Sequence, residues 1–298
     1  MFSAAAVAEF GRLAGNHLWQ STVFGAAAAL LALTLRGNRA SVRHWLWLAA
    51  SVKFLVPFAG LAVIGGWLGR WVVPAGRTAA YVPVVVGRVV EPFAGGTAGV
   101  FVPQPVPVQG SGSWVWPVLI AVWALGLGAV AIYSWRRWRR VARVVRGAVP
   151  ITAGREMMAW RRIQDKKADQ EVRPALVCSA AALEPGVFGI FRPLIWLPAG
   201  IGDRLSDSEL EAILAHELCH VWRRDNLTSF LHMVVECLFW FHPLVWWMGA
   251  RLTEERELAC DEEVVRMGGS PQVYAESILK VCEHYLASPV ACAAGVTG

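Results

Sequence analysis

Charge is what this sequence has least of. Only 17% of its 298 residues are Asp, Glu, Lys or Arg, against about 25% in an ordinary soluble domain. Part of the surface must therefore face an apolar medium. Cysteine is sparse in pattern as well: Cys178, Cys219, Cys237, Cys260, Cys282 and Cys292 include no CxxC spacing, which excludes a small disulfide framework. The N-terminal MFSAAAVAEF has no basic start, so no cleavable signal peptide is expected and the apolar block after it reads as retained. What the chain has instead is an apolar fraction of 56% with 16 tryptophans and a mean hydropathy of +0.44. Indole rings settle at membrane–water interfaces, so these numbers describe a membrane protein.

The apolar residues come in blocks of spanning length. Residues 18–35, 45–68 and 114–135 predict three transmembrane helices, the second despite Lys53 and Pro57. The net charge of +6 is concentrated in Arg36, Arg39 and Arg43 and in Arg136, Arg137, Arg139, Arg140, Arg143 and Arg146. Both clusters abut apolar blocks, so they read as positive-inside topology signals in contact with anionic lipid rather than as a nucleic-acid patch, and no direct nucleic-acid partner is expected. The expected layout is a membrane domain over 1–135, with a Pro/Gly-rich outer loop at 70–113, and a cytoplasmic domain over 136–298. Thiols on that side stay reduced. Lys53 inside the second block is either paired, with Glu236 as the candidate, or snorkelling to the inner boundary.

Beyond the basic run the pattern changes. Short apolar stretches punctuated by Gly and Pro over 150–200 predict strands, and PLIWLP, with a proline at each end, predicts an edge strand. From Ser206 the period becomes helical: Ser206 and Glu209 have capping-box spacing, and Leu210, Ile213, Leu214, Leu218 and Val221 form one stripe.

His216-Glu217-Leu218-Cys219-His220 lies in that helix. Two histidines four apart share a face and can bind one zinc ion. A catalytic site has three protein ligands and an open position, and Glu217 is placed to act as the base. Glu257 and Asp261, again four apart, supply a candidate third ligand and a candidate partner for the far nitrogen of a ligand histidine. A chance match on an amphipathic helix, and a solvated acidic face, are the bland alternatives. His232 and Glu236 form a rival pair of ligands, and His242 is either structural or a hydrogen-bond donor to the transition state. The apolar stretch 227–248 lies between His220 and Glu257. A straight crossing would put them on opposite sides of the bilayer, so a bent or hairpin pair of helices, broken at Pro243 and packed against or shallowly within the inner leaflet, is predicted.

HELCHVWRRD, FWFHPLVWW and ERELACDEEV resemble the BlaR/MecR-type antirepressor metallopeptidases, the β-lactam sensor-transducers of bacteria. RHWLWLAASVKFLVP and LVCSAAALEPGVFGIFRPLIWLP extend the resemblance over most of the chain. It implies a mainly α membrane protein of the bacterial inner membrane, carrying a cytoplasmic α+β gluzincin-like zinc peptidase domain. It further implies His216, His220 and Glu257 as zinc ligands, Glu217 as catalytic base, Asp261 as support, substrate strand addition at PLIWLP, and cleavage of a cytoplasmic repressor on an outside signal. No SxxK-plus-KTG acylation set follows the acidic motif, so β-lactam sensing is not implied; a C-terminal sensor or other module is expected beyond this chain. Two other readings remain: a constitutive quality-control protease of the membrane, and a non-catalytic scaffold with structural zinc. The latter has no use for Glu217.

Overall fold

The computed structural model describes residues 4–57, 92, 114–166, 172–180 and 184–286, and it is mostly helical. The outer loop expected at 70–113 lies outside the described residues apart from Pro92. Two long N-terminal helices, α1 (Ala4–Thr34) and α2 (Ala40–Lys53), precede α3 (Val115–Arg146). Then come β1 (Val149–Pro150), α4 (Arg155–Lys166), β2 (Ala175–Ser179), β3 (Gly186–Phe188), β4 (Leu194–Pro198) and α5 (Ile201–Arg204). The chain continues through α6 (Asp207–Trp222), α7 (Asp225–Leu238), α8 (Pro243–Arg266) and α9 (Pro271–Leu286).

Among the described residues one helix, α3, is long and apolar enough to cross a membrane. It runs unbroken from the apolar block through the whole Arg136–Arg146 cluster, and no Pro or Gly lies between residues 129 and 146. The stretch 45–68 does not form one continuous helix. Its first part belongs to α2, which ends at Lys53, and a turn follows at 54–56 ahead of Pro57. The ring of Pro57 disfavours helical backbone at the preceding residue. With 14 residues, α2 is about 21 Å long, and residues 58–68 lie outside the described ones.

Two hydrophobic cores hold the chain together. One joins α4, the sheet, α6 and α9 through Trp160, Ile195, Leu210, Leu214, Leu218 and Tyr274. The other joins α1 and α2 to α7 and α8 through Trp47, Phe54, Val235, Val245, Met248 and Leu252. The N-terminal helices thus share a core with the helices that follow the HExxH segment. Between α2 and α8 runs a half-buried ion pair, Arg43 Nε to Glu255 at 2.8 Å. Both Glu262 carboxylate oxygens also accept from the Ala40 N–H at the start of α2, at 3.1 Å each.

The sheet order is β1-β2-β4-β3, with β2 and β4 parallel and the outer pairs antiparallel. PLIWLP is therefore an internal strand and not the edge. Its prolines sit only at its ends, so the N–H groups between them are free to pair on both sides. The edge beside β4 is β3, where a Cβ added at Gly186 would fall 2.5 Å from the Trp196 ring.

Candidate metal site

The start of α6 is fixed by the capping box read from the sequence: Ser206 Oγ accepts from the Glu209 N–H at 3.3 Å, and Glu209 Oε2 accepts from the Ser206 N–H at 2.7 Å. Glu209 is buried and also takes Lys280 of α9 at 2.7 Å. With its register set, α6 presents His216 and His220 on one face, with rings 4.8 Å apart. A left-handed residue, Arg224 at φ 56, turns the chain into α7. After the Phe239–His242 turn, α8 returns antiparallel with Pro243 in its first turn, where a proline costs no helix hydrogen bond. That return brings Glu257 to the two histidines.

The resulting triangle has sides of 3.2 Å between His216 Nε2 and His220 Nε2, and of 3.5 and 3.6 Å from those atoms to Glu257 Oε2. Zinc held tetrahedrally at 2.0–2.1 Å needs ligand atoms about 3.3 Å apart, so the donor set and its spacing fit zinc. Arg256 holds the other Glu257 oxygen, Oε1, at 2.7 and 2.9 Å, which leaves Oε2 for the histidines.

The far nitrogens of both histidines are engaged. His220 Nδ1 lies 2.8 Å from Asp225 Oδ2, a nearly fully buried carboxylate. His216 Nδ1 lies 2.7 Å from the Tyr274 hydroxyl, which donates to Asp261 Oδ1 at 2.6 Å. Asp261 thus reaches His216 both through a tyrosine from α9 and directly, at 3.2 Å. With both Nδ1 atoms occupied in this way, both Nε2 lone pairs face the centre. A second grouping of potential ligands, His220, Asp225 and Cys260, lies on the Nδ1 side of His220: Cys260 Sγ is 3.3 Å from that nitrogen and 3.8 Å from Asp225. It shares its nitrogen with the Asp225 hydrogen bond and reads as support for the ring.

The electrostatics agree with a site built for a cation. Burial works against a charged His216, yet hydrogen bonds to Asp261 and Glu257 prevail and raise it to about 10. For His220 burial is likewise overcome, here by Asp225 and Glu257, and it rises to about 9. Burial opposes ionisation of Glu257 too, but the two histidines and Arg256 hold it well below the ordinary carboxylate range. Glu217 is buried between the histidine positions, and burial raises its proton affinity against their pull.

Other residues singled out in the sequence lie elsewhere. His232 bonds Ser51 Oγ of α2 through Nδ1 at 2.7 Å and sits 3.3 Å from Glu236; the pair is pressed against Gly249 and is not part of the triangle. Lys53 is not paired with Glu236. It reaches Ser21 Oγ at 3.4 Å and the Val56 carbonyl at 3.3 Å, because Glu236 faces His232 instead. His242 precedes α8, 3.1 Å from Thr22 and against Phe54. Fifteen residues of helix separate it from Glu257, about 22 Å, so it has no access to a reaction there. Sequence reasoning gave no role to Asp225 and Tyr274. An Asp five residues after the second histidine was a usable signal; nothing marked Tyr274.

The sequence pattern of the BlaR1 peptidase M56 family matches residues 16–297. The chain is 26% identical over 158 residues to "Regulatory protein BlaR1" of Bacillus licheniformis, covering 53% of this chain and 26% of that protein. It is 25% identical over 165 residues to "Methicillin resistance mecR1 protein" of Staphylococcus aureus (strain Mu50 / ATCC 700699), covering 55% and 28%. Over 133 residues it is 29% identical to "Protease HtpX homolog" of Nostoc punctiforme, covering 39% and 46%. The matched stretches thus span between a quarter and a half of these relatives' lengths.

Proposed function

The chain belongs to the BlaR1 peptidase M56 family, and from that premise we propose that it is a multi-pass zinc endopeptidase of the bacterial inner membrane. Its peptidase half faces the cytoplasm and cleaves a cytoplasmic protein, a transcriptional repressor, in signal transduction. The observation that carries the enzymatic reading is the triangle of His216, His220 and Glu257, with sides of 3.2 to 3.6 Å and a buried carboxylate, Glu217, on the same helix. A purely structural site would close on four protein ligands and need no base. The relatives named as a regulatory and a resistance protein support the signalling role.

His216, His220 and Glu257 would hold zinc, which when bound would supply a Lewis acid for the scissile carbonyl and for water. Glu217 accepts the proton of the attacking water and returns it to the leaving amine. Asp225, and Tyr274 with Asp261, keep the two histidines in the tautomer with Nε2 unprotonated. The edge strand β3 receives the substrate in extended form by strand addition. It is held next to the site by Asn226 Nδ2, which donates to the carbonyls of Gly189 at 2.9 Å and Val187 at 3.4 Å.

The detergent-purified protein loaded with zinc should hydrolyse unfolded casein, and Glu217→Gln should not. Equal hydrolysis by both proteins contradicts the reading. The similarity to the HtpX homologue favours a second reading, constitutive quality control. In cells that reading requires turnover of misfolded membrane proteins at all times, whereas the signalling reading requires cleavage only on an outside stimulus.

A further inference from the structure

The three helices of the N-terminal half act as rulers for the depth of the α7–α8 hairpin. On α3, Trp123 Nε1 donates to the Leu238 carbonyl at 2.9 Å, and Trp240 Nε1 donates to the Trp123 carbonyl at 3.1 Å. Gly126 gives way to the Trp240 ring, which a Cβ there would meet at 2.0 Å. Gly126 precedes Arg136 by ten residues, so the hairpin turn sits about 15 Å from the basic cluster, half of a hydrocarbon core about 30 Å thick. On α1, Thr22 meets His242 at 3.1 Å and Gly25 lies under Leu244. Gly25 is eleven residues from Arg36, about 16 Å along the helix. On α2, Phe54 packs against His242 while Arg43, eleven residues away, bonds Glu255. The same spacing, about 16 Å, separates the turn from the charged level.

The surface and the backbone agree with the rulers. Phe230, Phe241, Trp246 and Trp247 of the hairpin are between 42% and 46% exposed. On α8 the first charged side chain is Arg251, paired with Glu254, about 12 Å below Pro243. Hydrocarbon tolerates a non-helical turn only if its polar groups are satisfied within the protein. Here the Leu238 carbonyl is taken by Trp123, that of Phe239 by the His242 N–H at 2.8 Å, and that of Trp240 by Trp246 Nε1 at 2.8 Å.

We infer that α7–α8 is a re-entrant hairpin that enters the inner leaflet from the cytoplasmic side, turns near the bilayer midplane at Phe239–His242, and presents its exposed apolar face to inner-leaflet acyl chains. The inference rests on the topology proposed above, with α3 crossing and the Arg136 cluster inside. It replaces the shallow placement expected from the sequence, because α3 carries the turn at the level of Gly126. Glu257 lies fourteen residues beyond Pro243, about 21 Å, which sets the metal cluster at head-group depth, some 6 Å past the basic plane. The edge strand shares that level, since Phe188 of β3 stacks on Trp138, with ring centres 6.0 Å apart. A peptide added to β3 therefore runs along the membrane surface, and the substrate class is a protein segment lying at, or brought to, the inner face of the membrane.

Depth-resolved quenching tests this. Cysteines introduced one at a time at Phe241, Leu125 of α3 and Glu254, with Cys178, Cys237, Cys282 and Cys292 changed to Ser and the buried Cys219 and Cys260 kept, are labelled with a bimane fluorophore. The protein is placed in phosphatidylcholine–phosphatidylglycerol vesicles containing lipids nitroxide-labelled at known depths. The Phe241→Cys and Leu125→Cys labels should both be quenched most by midplane nitroxides, and the Glu254→Cys label by head-group nitroxides. A midplane Leu125 label with a Phe241 label at head-group depth overturns the hairpin alone. Head-group depth at Leu125 overturns the topology and the hairpin with it. Zinc stoichiometry equal to wild type in each labelled protein establishes that the variants are folded.

Discussion

At the scale of single residues, His216, Glu217 and His220 are the readable part of the site, because helical spacing alone puts both rings on one face. Glu257 came from a motif whose distance was right but whose approach depends on the hairpin. Asp225 and Tyr274 reach the site through a left-handed turn at Arg224 and a helix 58 residues downstream of His216, and neither is visible as a period. Each makes a separable prediction. Glu217→Gln should keep zinc while lowering the cleavage rate by about 10²–10⁴-fold, measured as initial rate beside metal content. Asp225→Asn and Tyr274→Phe should each weaken zinc binding by about 10–100-fold in competition with a chelator; unchanged affinity would reduce both residues to packing.

The same shell sets a pH dependence. In the metal-free chain His216 and His220 hold protons up to about 10 and about 9, above the ordinary histidine value near 6.5. Raised values of this kind stabilise the folded state fully below about pH 6.5, and the contribution is lost as pH rises towards 9 and 10. Zinc must displace those protons. Metal-free protein should therefore become less stable between pH 7 and 10, while zinc affinity rises over the same window. A zinc affinity that is flat with pH would contradict the protonation assigned here.

Among the elements, α6 was the most legible, since its capping box, stripe and motif all come from local sequence. The strand at PLIWLP was legible as a strand but not as to place, because prolines at strand ends do not report what pairs beside the residues between them. The break in the second apolar block follows from Pro57, yet hydropathy alone ran through it. The link between α2 and α8 could not be read at all: Arg43 and Glu255 are 212 residues apart, and each side chain is only 12% exposed once paired. Arg43→Ala should leave the Glu255 carboxylate unpaired and cost about 1.5–3 kcal/mol, seen as a lower Tm in detergent. Because α8 carries Glu257, zinc affinity should fall with it; an unchanged Tm would show that the Arg43–Glu255 pair does not hold the two halves together.

For the whole molecule, composition was enough to place the chain in a membrane, and the basic clusters were enough to propose an orientation. What composition could not convey is that the two halves share a core, so that Glu257 rides on a helix packed against α2 while His216 and His220 sit on α6 in the other core. His220 and Glu257 flank an apolar stretch long enough to cross, and the hairpin turn is what reunites them. The candidate site depends on that reunion. Its most direct test is the zinc content of detergent-purified protein, measured in the wild type, Glu217→Ala and Glu257→Ala. About one zinc per chain is expected in the wild type and in Glu217→Ala, with loss or marked weakening in Glu257→Ala. Absence of zinc from the wild type, or full retention in Glu257→Ala, would contradict it.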